Sequence, residues 1–288
     1  MAVVAPPHLT YVNFGENIVA VVAEPVTIVL MSNLIYCSTF KKWKIQGRTL
    51  SRSMLVFMCT HLFFAITCIP YSWFIIFNWN PNFDPNTVTA SYYNTLYYLG
   101  LMGNNYMAVS PVPVFFLQLD RCFALKMWGR ARSIVFWLSL VAVISIAIAG
   151  IYISLLELPL DIEKVKQCTT SGCVFIKYQG KPQLYTKLVF GTLNFINSGY
   201  LFYLLRKHQS LSVKNRVVKA TAIMEFFFSI IPSYFGIIYV TITGISTANV
   251  IGQYVLMSCI VDAAGCSIIY SVLFRGKKAA IQVSWNSK

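Results

Sequence analysis

The chain has 288 residues, 57% of them hydrophobic and 11% charged, and its mean hydropathy is +0.64. No soluble domain of ordinary composition has that balance, so the sequence reads as a membrane protein. The formal charge of +14 does not point to nucleic acid, because that reading needs the basic residues on one solvated face, and here they alternate by loop.

A helix needs about 20 mostly apolar residues to cross about 30 Å of hydrocarbon. Stretches at about 17–40, 53–79, 92–125, 133–157, 184–206, 216–243 and 247–274 qualify. They predict an all-α membrane protein, a seven-transmembrane-helix bundle over 1–274 with a short basic tail at 275–288. Residues 1–16 hold no Lys or Arg and so lack the charged head of a cleavable signal peptide; the first span is expected to direct insertion. Basic residues gather in the first loop (Lys41, Lys42, Lys44, Arg48, Arg52), the third (Arg121, Lys126, Arg130, Arg132), the fifth (Arg206, Lys207, Lys214, Arg216, Lys219) and the tail (Arg275, Lys277, Lys278, Lys288). Lys164, Lys166, Lys177, Lys181 and Lys187 lie in or beside the fourth loop, diluted by Glu157, Asp161 and Glu163. The second and sixth loops have none, so the N-terminus is expected outside and the C-terminus in the cytoplasm.

In the first span, Glu24 fits either a headgroup-facing anchor or a ligand contact. Asn33, deeper, is expected to make a buried interhelical hydrogen bond. His61 in the second span fits a satisfied packing residue or a pocket hydrogen bond, and Pro70 is expected to kink the helix. The loop NWNPNFDPNT is polar and rich in turn residues. At the start of the third span Tyr92, Tyr93, Tyr97 and Tyr98 read as an interfacial belt. Asn104, Asn105 and Tyr106 lie deeper and need a facing helix or a ligand as partner. Pro111 and Pro113 each remove a backbone hydrogen bond, so a bend is expected there. The span closes on LQLDRCFAL. An arginine at such a position can hold two states, Arg121 paired with Asp120 or swung toward a partner protein; the plain alternative is a positive-inside anchor beside an incidental acid.

The fourth span is aliphatic packing. In the loop after it, Cys168 and Cys173 fall on the expected oxidising side, where they pair across a small loop, stay free or pair elsewhere. The other six cysteines read as small apolar packing residues. The fifth span brings Lys187, Asn194 and Asn197 into its outer and middle turns, then Tyr200 and Tyr203. In the sixth, Pro232 is a hinge candidate because its broken ladder lets half the helix swing, and Glu225 nearby is buried or cavity-facing. The seventh carries Asp262 and ends in Cys-Ser-Ile-Ile-Tyr at Tyr270. An Asp262 to His61 contact is expected as the polar hub of the bundle, the alternative being Asp262 bonded to local backbone and water. The tail RGKKAAIQVSWNSK suits a short helix on an anionic leaflet.

An acid-arginine pair closing the third of seven spans, Asn33 in Ser-Asn-Leu-Ile, Ser110 three turns before Arg121, Phe226 and Pro232 six residues apart, and Tyr270 together resemble rhodopsin-like G-protein-coupled receptors over the whole chain. The short N-terminus and the wording Leu-Asp-Arg-Cys-Phe-Ala look most like nematode serpentine chemoreceptors. The resemblance implies G-protein coupling and switching at Asp120, Arg121, Tyr203, Pro232 and Tyr270, with Tyr200 the alternative to Tyr203. It implies a polar hub of Asn33, His61, Ser110 and Asp262. An outer cavity for a small-molecule ligand would be lined by Asn104, Asn105, Met107, Asn194, Asn197, Tyr234, Gln253, Tyr254 and Met257. The implied protein is a multi-pass plasma-membrane chemoreceptor, in sensory cilia and olfaction among other settings, that binds a small molecule, signals through a heterotrimeric G protein in the lipid bilayer and uses no cofactor.

Several family residues are replaced. Cys122 stands for an aromatic, His61 for the aspartate that holds a sodium ion, and Ile230 for a tryptophan. The helix-five proline, an acid near Ser212 and a cysteine at the top of helix three are missing, so the family's tie from the fourth loop is absent. A seven-spanning ligand-gated chemoreceptor channel is the alternative, with its N-terminus inside, against which the loop charge argues. A transporter would show related halves, and no internal repeat is present. A membrane enzyme is not expected: His8, His61 and His208 are too few and too scattered for a multi-histidine metal site.

Overall fold

Backbone N–H and C=O groups in hydrocarbon have no water to bond, so a chain this apolar satisfies them within helices. The computed structural model describes residues 7–39, 50–81, 83, 88–126, 129–166, 168–178, 180–208, 213–243, 247 and 250–285. The elements are α1 Pro7–Thr39, α2 Arg52–Phe77, α3 Ala90–Val109, α4 Pro111–Leu125, α5 Gly129–Leu155, the short α6 Ile162–Val165 and α7 Ser171–Val174, α8 Lys181–His208, α9 Val213–Glu225, a π-helical turn Phe226–Ile230, α10 Ile231–Thr243 and α11 Tyr254–Trp285. Among the described residues, seven helices are long and apolar enough to cross a membrane, and no strand occurs. The first of these begins at Leu9, earlier than expected, and the seventh at Tyr254, later. Lys41, Lys42, Lys44, Arg48 and Lys288 lie outside the described residues.

Two helix breaks follow from proline. Pro111 and Pro113 have no N–H to donate, and the helix of the third span divides at Ser110 into α3 and α4. In the sixth span the ring of Pro232 would press on the preceding turn, and that turn is widened into the π-helical Phe226–Ile230, with Ile231 N bonding the Phe226 carbonyl. By contrast α2 runs through Pro70 as one helix.

The third span is the hub of the packing, touching the second, fourth, fifth, sixth and seventh. Its most apolar stretch is 72% buried, against 11% for the fourth span. Large apolar side chains such as Val22, Phe63, Trp137, Ile148, Ile196 and Val272 face outward, as a lipid-facing surface requires and a water-facing one does not tolerate over whole helices. Inside are two large clusters. One joins α1, α2, α3 and α11 to the loop after α5; the other joins α1, α2, α4, α8, α9 and α11 at the opposite end.

The loop after α5 forms a cap on the first cluster. Val165, Cys168, Val174 and Phe175 pack with Tyr93, Leu96 and Tyr97, and Cys168 and Cys173 are disulfide-bonded. The Tyr93 hydroxyl donates to the Lys166 carbonyl at 2.5 Å, and that of Tyr97 to the Ser154 carbonyl at 2.6 Å. The Glu157 carboxylate accepts the N–H groups of Lys177 and Tyr178 at 2.7 Å each. Tyr93 and Tyr97 are therefore fully buried supports of the cap, a correction to the belt expected for them, while Tyr98 faces outward.

Candidate functional site

Beneath the cap, the third, fifth, sixth and seventh spans diverge around a cavity of about 110 Å³. The fifth span lines it with Lys181, Leu184 and Lys187, the third with Asn104 and Met107, the sixth with Val240, and the seventh with Tyr254 and Val255. Gly172, Gly180, Thr247, Gly252 and Gln253 close it from the connecting segments. Gly252 has φ +81°, and a Cβ there would lie 2.3 Å from Asn13 Oδ1 and 2.5 Å from Glu16 Oε2, so glycine is required both by backbone conformation and by space. The next amide, Gln253 N, donates to Glu16 at 2.8 Å. The Gln253 side-chain amide sits between the hydroxyls of Tyr71 (2.7 Å) and Ser171 (2.6 Å). The roof is thus tied to α1, α2 and the cap by half-buried polar contacts.

Below the cavity the polar groups converge on Cys259. Its thiol receives Lys187 Nζ at 2.8 Å and lies 3.6 Å from the Ser110 hydroxyl. Its carbonyl accepts the Tyr106 hydroxyl at 3.4 Å, and that hydroxyl also meets His61 Nδ1 at 2.6 Å. Aromatic rings continue the connection. Phe64 stacks on Tyr106 (4.9 Å between centroids), Tyr106 meets His61 (5.7 Å), His61 meets Phe57 (4.3 Å), and Phe57 meets Tyr270 (5.8 Å). The Tyr270 hydroxyl is hydrogen-bonded to Thr221 of α9.

At the far end, Asp120 and Arg121 form a buried ion pair, and Arg132 Nε of α5 reaches the second carboxylate oxygen at 3.0 Å. Two arginines on one carboxylate leave a net positive charge at the edge of the bundle, and Arg121 Nε, also buried, has no partner. Lys126 lies over the Tyr200 ring at 5.3 Å.

Of the nine residues expected around a ligand, Asn104, Met107, Gln253 and Tyr254 meet at the cavity. The other five do not. Asn105 turns to α5 and donates to the Ala147 carbonyl at 3.1 Å. Asn194 and Asn197 donate to the carbonyls of Pro111 and Phe115 at 2.9 and 3.4 Å, where they join the fifth span to the third. Tyr234 points outward and bonds Thr192 at 2.7 Å, and Met257 lines a small crevice with Glu16, Asn17 and Tyr71.

The expected hub is also corrected. Among the described residues no hydrogen bond or ion pair joins His61 to Asp262; Tyr106 occupies the partner position at His61, and Asp262 accepts the Cys266 thiol at 3.8 Å. Asn33 lies on the exposed face of α1 and accepts the Cys37 thiol at 3.4 Å within its own helix. Met31 and Leu34 take the inward positions. The buried polar contact of α1 with α2 is instead Glu24 accepting Ser72 Oγ at 2.9 Å. Tyr203 faces outward, 60% exposed, so it does not reach Arg121. Cys59 is exposed, while the other five free cysteines are buried.

Sequence reasoning missed the roles of Cys259 and Arg132, and left Lys187 out of the ligand set. Lys187 reads both as a charge beside the fourth loop and as a residue of the outer fifth span, and it is 1% exposed; its spacing from Lys181 and Leu184, every third residue, is the signal that places all of them on one wall. No protein-family model, curated protein or solved structure matches the chain.

Proposed function

We propose that this seven-helix membrane protein is a chemosensory receptor of the rhodopsin-like kind, closest in wording to nematode serpentine chemoreceptors, and not an enzyme. A small molecule binds in the cavity under the cap, on the outer side of the plasma membrane, and a heterotrimeric G protein engages the Asp120–Arg121 end in the cytoplasm. The observation that carries this reading is the pairing of the two ends by one helix. The third span presents Asn104 and Met107 to the cavity and Asp120 and Arg121 to the opposite edge. Between them lies the Tyr106, His61, Phe57, Tyr270 sequence of contacts.

A ligand that favours one arrangement of the cavity walls shifts the population of the bundle toward it. The sixth span is the element able to answer, since its π-helical turn and Pro232 lack the regular ladder that would hold its two halves in line. Swinging the α9 half outward separates Thr221 from Tyr270 and opens a cleft beside Arg121. Arg121→Ala, brought to the cell surface at wild-type levels, is expected to abolish nucleotide exchange on the coupled G protein while leaving binding at the cavity intact; wild-type signalling by that variant contradicts the mechanism.

A further inference from the structure

The charged groups lining the cavity under the cap are Lys181 and Lys187, and no carboxylate lines it among the described residues. Lys187 is the deeper and is buried. Its ammonium bonds the Cys259 thiol, a weak acceptor that leaves most of the cost of burying the charge unmet. Glu225 and Asp262 lie within electrostatic reach, but neither forms an ion pair with it. Lys187 is the one of the three that borders the cavity. A second, independent donor waits nearby. Asn104 is 3% exposed, lines the same cavity, and its Nδ2 has no partner.

Two buried donors, one of them a lysine, bordering a space whose apolar wall is Met107, Leu184, Val240 and Val255 define the chemistry of an occupant. It must bring an anionic acceptor and an apolar body. We propose that the cavity binds a small amphiphilic monocarboxylate, its head group held by Lys187 and Asn104 and its chain against those four side chains. Charge-assisted hydrogen bonds to a carboxylate are the strong ones. A phosphate dianion would bring one negative charge more than the single buried ammonium can match, and a neutral alcohol or ester would leave that ammonium as it is. Lys181, exposed at the entrance, draws anions toward the opening. The inference rests on the cavity being the ligand site of the proposed receptor, and it adds the class of ligand.

The test is thermal unfolding of the purified full chain in neutral detergent at about pH 7, titrated with hexanoate, 1-hexanol or methyl hexanoate. Hexanoate is expected to raise the melting temperature in a saturable way, and the alcohol and ester of the same chain length are not. Lys187→Met, which replaces the buried ion with an apolar side chain of similar length, is expected to weaken the hexanoate response at least about tenfold; Asn104→Ala weakens it less. Equal shifts with the ester, a full hexanoate response in Lys187→Met, or no hexanoate response in the wild type overturns the proposal. If Lys187→Met does not fold, the wild-type comparison of acid with ester still decides. Because no G protein is present, a failure here is separable from a failure of coupling, which is read by Arg121→Ala.

Discussion

At the scale of single residues, the interior is governed by what each buried polar group finds as partner. Arg121 and Arg132 share the Asp120 carboxylate, so its two oxygens hold the third and fourth spans together as well as restraining Arg121. His61 and Tyr106 face each other at 2.6 Å, and both are buried. Removing the Tyr106 hydroxyl leaves the buried His61 without its hydrogen bond, a loss of about 1 to 3 kcal/mol, while removing His61 leaves Tyr106 the longer contact to the Cys259 carbonyl. In a double-mutant cycle on unfolding stability, His61→Ala with Tyr106→Phe is therefore expected to show a coupling of about 1 kcal/mol, larger than His61→Ala with Asp262→Asn; the reverse order restores the Asp262 to His61 hub. Residue types were informative where chemistry is scarce. The only Asp-Arg pair closing a span and the two cysteines of the fourth loop were legible, and both form bonds in the structure. Which asparagines face the cavity was not. Asn104 and Asn105 are adjacent, and a rotation of 100° decides that one lines the cavity and the other bonds α5.

At the scale of elements, the presence of seven spans was readable and their rotation about their own axes was not. In a soluble helix the polar face marks the outside; here the lipid-facing side is as apolar as the packed side, so the periodic signal that orients a helix is nearly absent. The first span shows the consequence, with Asn33 facing out and Glu24 in. Proline was legible in the third and sixth spans, where its effect is local, and not in the second, where α2 runs through Pro70 as one helix. The break at Ser110 and the widened turn before Pro232 both fall where the missing N–H groups put them. The cap was less so, since nothing in Tyr93 or Tyr97 separates a buried support from an interfacial ring. Its seat depends on Gly100, where a Cβ would fall 2.0 Å from Ser171 Cβ. Gly100→Ala is expected to lift α7 and destabilise the protein by about 1 to 3 kcal/mol. Gly199→Ala is the control: a Cβ there meets nothing within 4 Å, and alanine favours the helix by about 0.5 to 1 kcal/mol. Equal melting temperatures for the two variants would mean that the cap does not press on α3.

At the scale of the molecule, composition called for a membrane protein and the apolar stretches for seven helices, and seven such helices are present among the described residues. Their arrangement puts a buried lysine and a capped cavity at one end and the buried Asp120–Arg121 pair at the other, joined by the third span. The N-terminal part of α1 belongs to the cavity end, through Asn13 on Thr169 at 2.9 Å and Glu16 on Gln253. From there α11 runs from Tyr254 at the cavity past Tyr270 toward the arginine end. Which side of the membrane each end faces is therefore reported by the two termini. The receptor reading requires the cavity outside and Arg121 inside, as the loop charges also require. The direct measurement is antibody access to epitope tags at Met1 and Lys288 in intact and permeabilised cells. The account predicts that the Met1 tag is stained in intact cells and the Lys288 tag only after permeabilisation. A Met1 tag hidden until permeabilisation, with the Lys288 tag exposed, would place Arg121 outside the cell, contradict G-protein coupling and direct attention to ion-current recordings.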